Sequence, residues 1–210
     1  MNNMKHHLKT ILTLLLFLAF FAGKKIYALD LQAPTDHYIG VKIGLGASNL
    51  LYTDEIVQNA KETKYRASLL TGVDIIYDLD FKGRFYSLFV QAGISLADVK
   101  GIYTGELIRL QYAVFSVGLK IYVYKDVYIG CAPYLGILMN AQKDSANYKA
   151  YFRNDFGIIF RFGSFFWLMK EVKMILELEG RMGFINVYNM PGNNRKLYGI
   201  LFYAGLSVNI

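Results

Sequence analysis

From Leu107 to Asn140 the chain alternates with a period of two on both sides of the dipeptide Lys125-Asp126. In the first run Ala113, Phe115, Val117, Leu119, Ile121 and Val123 share one parity, against Tyr112, Ser116, Gly118, Lys120 and Tyr122 on the other. In the second run Val127, Ile129, Cys131, Leu135, Ile137 and Met139 alternate with Gly130, Ala132, Tyr134 and Gly136. Successive side chains of a strand point to opposite faces, so this pattern predicts two strands with one oily face and one small, aromatic or charged face. Both runs outlast the roughly 5–6 residues of a common soluble strand, and about 9–11 tilted residues cross a bilayer. The stretch therefore predicts a transmembrane β-hairpin.

The same alternation recurs along the chain. A strand over Tyr38–Leu50 sets Ile39, Val41, Ile43, Leu45 and Ala47 against Gly40, Lys42, Gly44, Gly46 and Ser48. A second, Tyr65–Tyr77, carries Asp74 on its non-lipid parity, and a third runs over Phe85–Ala97. After the hairpin, Arg153–Phe162 places Asp155 and Arg161 opposite Phe156, Ile158, Phe160 and Phe162. Val172–Phe184 places Lys173, Glu177, Glu179 and Arg181 opposite Met174, Leu176, Leu178 and Met182. Leu197–Ile210 closes the series. Polar stretches Tyr52–Lys64, Asp98–Glu106, Ala141–Phe152 and Ile185–Lys196 read as outer loops, while Asp78–Arg84, Lys125-Asp126 and the aromatic Gly163–Glu171 read as short turns. An even strand number with long and short connections alternating predicts an all-β, closed, eight-stranded antiparallel up-and-down transmembrane barrel over residues 29–210. The last strand would pair with the first, leaving no open edge in lipid.

Residues 1–28 have Lys5 and Lys9 ahead of the apolar run 11–22, the layout of a signal-peptide helix, with cleavage expected after Ala28. An uncleaved membrane anchor is the alternative, against which the run is short of the roughly 20 residues of a spanning helix. This segment changes the reading of charge. The formal net charge is +7, but residues 1–28 hold Lys5, Lys9, Lys24 and Lys25 and no acid, which leaves 19 bases against 16 acids, or +3. No basic stripe remains, so nucleic acid is not an expected partner. The single cysteine, Cys131, rules out an intrachain disulfide framework and a cysteine-based metal site, and it lies on the apolar parity.

Three pieces resemble the outer-membrane protein β-barrel domain family, which includes PorT-type proteins. They are Ala132-Pro133-Tyr134-Leu135-Gly136, Asn154-Asp155-Phe156-Gly157, and Leu176-Glu177-Leu178-Glu179-Gly180-Arg181-Met182-Gly183-Phe184. In the family they appear as an inward Gly-Pro-Tyr-x-Gly strand, an Asp-x-Gly strand and a Glu-x-Arg-x-x-x-Gly-like strand; here Gly183 follows Arg181 by two. The end, with Tyr203, Gly205, Leu206, Val208 and Ile210, resembles the insertion signal read by the barrel-assembly machinery, with Ile210 in place of the commoner aromatic. The resemblance implies a small barrel exported to the bacterial outer membrane, with outer-membrane lipid and the assembly machinery as partners. It implies no common activity and no cofactor.

Candidate chemistry is sparse. Beyond His6 and His7 in the leader only His37 remains, at the entry to the first strand, so no catalytic residue, metal ligand or cofactor-binding residue is expected. Gly40, Gly44 and Gly46 lack the Gly-Lys-Ser/Thr of a phosphate loop. Glu177 and Glu179 form a carboxylate pair of the kind used in acid–base work. The competing reading is an ion-pair network of Lys42, Asp74, Lys120, Asp155, Arg161, Glu177, Glu179 and Arg181 filling a lumen too narrow for a channel. Tyr52, Tyr103, Tyr148, Tyr151 and Tyr188, among Asn, Lys and Asp in the loops, suit contact with a surface protein or glycan. The expectation is a non-enzymatic structural or surface-interaction barrel. A narrow pore or transport accessory is the alternative, and a secreted lipocalin-like barrel, apolar inside and polar outside, is a further one.

Overall fold

The computed structural model describes residues 35–52, 65–81, 85–101, 106–144, 146–147, 149–188 and 195–210. The expected signal peptide, residues 1–28, lies outside them. Eight long strands form the wall: β1 Thr35–Tyr52, β2 Tyr65–Phe81, β3 Tyr86–Gly101, β4 Leu107–Tyr124, β5 Val127–Lys143, β7 Asp155–Trp167, β8 Val172–Gly183 and β9 Arg195–Asn209. A two-residue strand, β6 Ala146–Asn147, folds back on the end of β5, and a short 3-10 turn, Lys149–Tyr151, follows. Each long strand pairs antiparallel with its sequence neighbours, and β1 also pairs with β9. Val41 thus faces Ile75 of β2 on one side and Leu206 of β9 on the other. The sheet is a closed eight-stranded barrel, so no wall strand has an unpaired edge.

The parity read from the sequence decides which face is which. Outside stand Ile39, Val41, Ile43 and Leu45 of β1, Phe115, Val117 and Leu119 of β4, and Ile200, Phe202 and Leu206 of β9. The outward row of β5 is apolar from Ile129 to Met139. At about 3.3 Å per residue and a tilt near 40°, such a row covers a belt about 25 Å tall, the height of hydrocarbon a barrel must span. Inside lie Lys42, Asp74, Lys120, Arg161 and Glu177, all buried. A soluble barrel with an apolar interior has the opposite distribution, so the lipocalin-like alternative is not favoured.

The strands run longer than the alternation suggests. β3 continues through Asp98–Gly101, and β2 through Asp78–Phe81, where Asp78 and Asp80 keep the inward parity of Asp74. β7 continues through Phe165–Trp167, which pair with Ile175–Lys173 of β8 rather than turning. β5 continues through Ala141–Lys143, and there Gln142, like Arg109 and Gln111 of β4, stands outward above the belt.

Side chains fill the bore. Small and large positions interlock: a Cβ on Gly44 would stand 2.5 Å from the Tyr203 ring, and one on Gly163 2.6 Å from the Tyr128 ring. Toward the loop end the filling becomes apolar, with Leu50, Leu70, Val99, Leu110 and Leu138 in one cluster with Phe152, Val187 and Tyr188. The latter three come from connecting segments that fold over the bore. Arg153 N donates to Val187 O at 2.9 Å, and Val187 N donates to Arg195 O at 2.9 Å.

The Lys125-Asp126 turn carries one strained residue, Lys125, at φ 34°. A side chain there costs about 1 kcal/mol that glycine does not incur. Lys125→Gly is expected to raise the urea midpoint of the barrel slightly, by about 0.5–1 kcal/mol of stability. An unchanged or lowered midpoint would show that the turn's own side-chain contacts outweigh the backbone term.

Candidate functional site

The inward charges come from strands far apart in sequence, and closure of the barrel brings them into one column. At its centre Glu177 and Glu179, two residues apart on β8, point into the bore. Lys42 of β1 donates to Glu177 Oε1 and lies 3.4 Å from Glu179 Oε2. Arg161 Nε donates to Glu179 Oε2 at 3.1 Å, and Arg181 Nε donates to Glu179 Oε1 at 2.7 Å. Tyr128 OH donates to Glu177 Oε2 at 2.8 Å, and Arg181 Nη2 donates to Tyr203 OH at 2.7 Å. Gln91 bridges the remaining groups: its amide nitrogen donates to Asp74 Oδ2 at 2.7 Å and its carbonyl accepts from Arg161.

Below this, toward the turn end, lies a second group. Lys120 Nζ donates to Asp78 Oδ1 at 2.6 Å, Lys173 Nζ to Asp80 Oδ2 at 3.3 Å, and Tyr122 OH to Asp80 Oδ1 at 3.1 Å. Aromatic rings back the cations. Lys173 Nζ sits 3.5 Å from the Tyr38 ring centre, Arg161 4.0 Å from Phe89, and Lys42 4.1 Å from Tyr203. A ring face replaces part of the hydration that burial removes from a cation. Ion pairs and charged hydrogen bonds supply the rest, which is the condition for charges to remain inside.

Above the central group, toward the loop end, Asp155 of β7 accepts a hydrogen bond from Tyr134 OH at 2.5 Å. It borders a small cavity of about 20 Å³, room for about one water, lined also by Ser48, Leu70, Ser95, Tyr112 and Arg181.

The barrel has counterparts in fold among solved structures. In the outer membrane protein OprG from Pseudomonas aeruginosa the fold superposes with a TM-score of 0.55 at 15% identity, covering 85% of this chain and 97% of that one. Neisserial surface protein A superposes with a TM-score of 0.50 at 11% identity, covering 84% of this chain and 99% of that one. The chain has the fold of a small outer-membrane barrel. No protein-family model matches the sequence. No curated protein's sequence matches it either. The PorT-like resemblance therefore stands on the sequence motifs alone.

Seven of the eight charges that the parity grouped together lie within 4.0 Å of an opposite charge; Asp155 has none that near among the described residues. Asp78, Asp80, Gln91 and Tyr128 join the network without having been singled out, as does Lys173, which parity places inward but which the expected network leaves out. Carrying the period of two past Tyr77 would have found Asp78 and Asp80. Glu177 and Glu179 are each held by bases rather than by one another, which is the arrangement of a structural pair. His37 is remote from both. Its Nδ1 lies 2.5 Å from Tyr77 OH at the turn end.

Of the loop tyrosines, Tyr151 is exposed. Tyr188, expected at the surface, is 6% exposed. Its ring packs on Phe152 at 5.1 Å and under the Arg195 guanidinium at 4.0 Å, because the connection folds inward over the bore. The Tyr52 side chain, Tyr103 and Tyr148 lie outside what the structure describes. At the chain end, Tyr203 faces inward as part of the network, while Leu206, Val208 and Ile210 face outward.

Proposed function

We propose that this chain is a non-enzymatic integral protein of the bacterial outer membrane, of PorT-like kind, with a structural or surface-interaction role. The observation that carries this reading is the apolar belt around a closed barrel whose interior is packed with paired charges. Residues 1–28 serve as the export signal, and Tyr203, Gly205, Leu206, Val208 and Ile210 are read by the assembly machinery during insertion. The packed network of Lys42, Asp74, Lys120, Arg161, Glu177, Glu179 and Arg181 acts as the barrel's internal frame. Function is left to the outer loops read from the sequence, where Tyr151, exposed in the structure, and Tyr52, Tyr103 and Tyr148 offer contact to a protein or glycan.

The apolar layer of Leu110, Leu138, Phe152 and Val187 above the charged layers argues for a closed bore rather than a pore. Two measurements test the reading. Carbonate washing of membranes is expected to leave the protein in the pellet, and its release without detergent would contradict a membrane-spanning barrel. Purified protein in planar bilayers is expected to give no steady single-channel currents, and such currents would establish the pore alternative. Surface proteolysis and pull-down on intact cells would then identify the loop partner.

A further inference from the structure

Strict alternation along β2 would place Arg66 inside. Asp74, Gly72 and Leu70 point into the bore on even positions, and Arg66 continues that series. The structure turns it outward. Leu70 pairs with Ala97 of β3, but the next pair toward the loop end is Ala67 with Val99, so Ser68 and Leu69 together face Asp98. Such a bulge adds one residue to its strand and reverses the parity beyond it. Arg66 therefore stands directly opposite Lys100. Both lie on the outer face, because Val99, the neighbour of Lys100, is the residue buried inside.

Two like charges directly opposite on antiparallel strands, with Cβ atoms about 4.5–5.5 Å apart, repel each other. Arg66 is exposed and Lys100 half-buried. Neither has an acid within 4.0 Å among the described residues. The outward acid of β3 beside them, Asp98, is already held by Arg109, whose Nε and Nη2 donate at 2.9 and 3.3 Å. Toward the turn end the same face becomes apolar at once, with Leu69 54% and Leu96 39% exposed. The pair thus stands where the hydrocarbon belt ends and lipid headgroups begin. A phosphate monoester offers three oxygens and close to two negative charges. A guanidinium grips two such oxygens as a fork, and an ammonium meets the third as a point charge. A soluble anion would use the cations alone, whereas a lipid uses the cations and the leucines below them.

We propose that Arg66 and Lys100 bind the phosphomonoester headgroup of a membrane lipid in the loop-end leaflet, with its acyl chains against Leu69 and Leu96. This rests on the membrane-spanning reading, and a barrel that stays in the carbonate pellet yet retains no such lipid would fail here alone.

The test titrates the purified full barrel in detergent micelles with dioleoyl phosphatidic acid and counts retained lipid by native mass spectrometry. Dioleoyl phosphatidylcholine, a diester neutralised by its choline, and inorganic phosphate are the comparisons. Saturable retention of phosphatidic acid is expected, with phosphatidylcholine held far more weakly and no displacement by equimolar inorganic phosphate. Arg66→Gln with Lys100→Gln should weaken retention about tenfold, through loss of the charge-assisted hydrogen bonds. Lys125→Gln with Lys170→Gln removes the same charge at the turn end and should leave retention unchanged. Arg66→Ala with Ala67→Arg keeps the net charge but moves the guanidinium to the inward position opposite Val99, and should weaken retention as well. If that exchanged chain does not fold, the glutamine variant decides. Equal retention of the two lipids, displacement by equimolar inorganic phosphate, retention unchanged in the glutamine variant, or an equal loss in the turn-end variant would overturn the proposal.

Discussion

Glu179→Ala is expected to be the most destabilising single change in the bore, by about 3–5 kcal/mol, because it removes one partner of buried ion pairs. Glu179 faces Arg181 at 2.7 Å, Arg161 at 3.1 Å and Lys42 at 3.4 Å, and is itself fully buried. Truncation leaves three cations sharing Glu177 and Asp74. Glu179→Gln keeps shape and some hydrogen bonding but not charge, and should fall between the two. Unfolding by urea in thin-bilayer vesicles, followed through Trp167, the only tryptophan, gives the free energy. A loss under about 1 kcal/mol would mean that the charges are hydrated and the network contributes little, as for exposed pairs. Replacing Glu179, Arg161 and Lys42 together by leucine or methionine should cost less than Glu179→Ala, since no charge is then stranded.

On the outer wall the largest effect is expected from Val117→Arg. Val117 is 59% exposed near the middle of the apolar row of β4. An arginine in mid-hydrocarbon costs about 2–4 kcal/mol in a barrel, and the cost falls toward the interfaces. Its neighbour Ser116 points into the bore, and its hydroxyl has no hydrogen-bond partner among the described residues. Ser116→Ala should therefore change stability by less than about 1 kcal/mol, as removal of an unpaired polar group does. The same urea experiment on the two variants compares adjacent residues on opposite sides of one strand. Equal effects, or a milder one at Val117, would contradict the lipid contact assigned to it.

The wall was largely legible because a barrel one strand thick exposes the period of two directly. Every wall strand shows in the alternation, and the side on which Lys42, Arg161 or Glu179 lies follows from parity alone. The strand ends are hidden where lipid no longer enforces the pattern. Asp98–Gly101 reads as loop because it is polar, yet Val99 is buried in the apolar cluster. Asp78 and Asp80 look like turn residues because acids are poor strand formers, but each meets a lysine across the bore. Phe165–Trp167 look like an interfacial turn, whereas Phe165 packs edge-on to Tyr122 at 5.9 Å inside a strand.

Which charge meets which was not legible. Lys42 and Glu177 are 135 positions apart, and their meeting depends on strand stagger rather than on parity. The burial of Tyr188 was equally hidden. It follows from the bridge between Phe152 and Tyr188, which joins two loops that the sequence gives no reason to pair.

The claim on which all of this rests is that the odd positions of β4 touch lipid while the even ones fill the bore. Nitroxide labels placed one at a time from Ala113 to Val123, in a Cys131→Ala background, test it directly. Collision with dissolved oxygen should peak at 113, 115, 117, 119, 121 and 123 and drop at every position between, and a water-soluble nickel complex should reach neither set. Odd positions open to the nickel complex, or oxygen access without a period of two, would contradict the account.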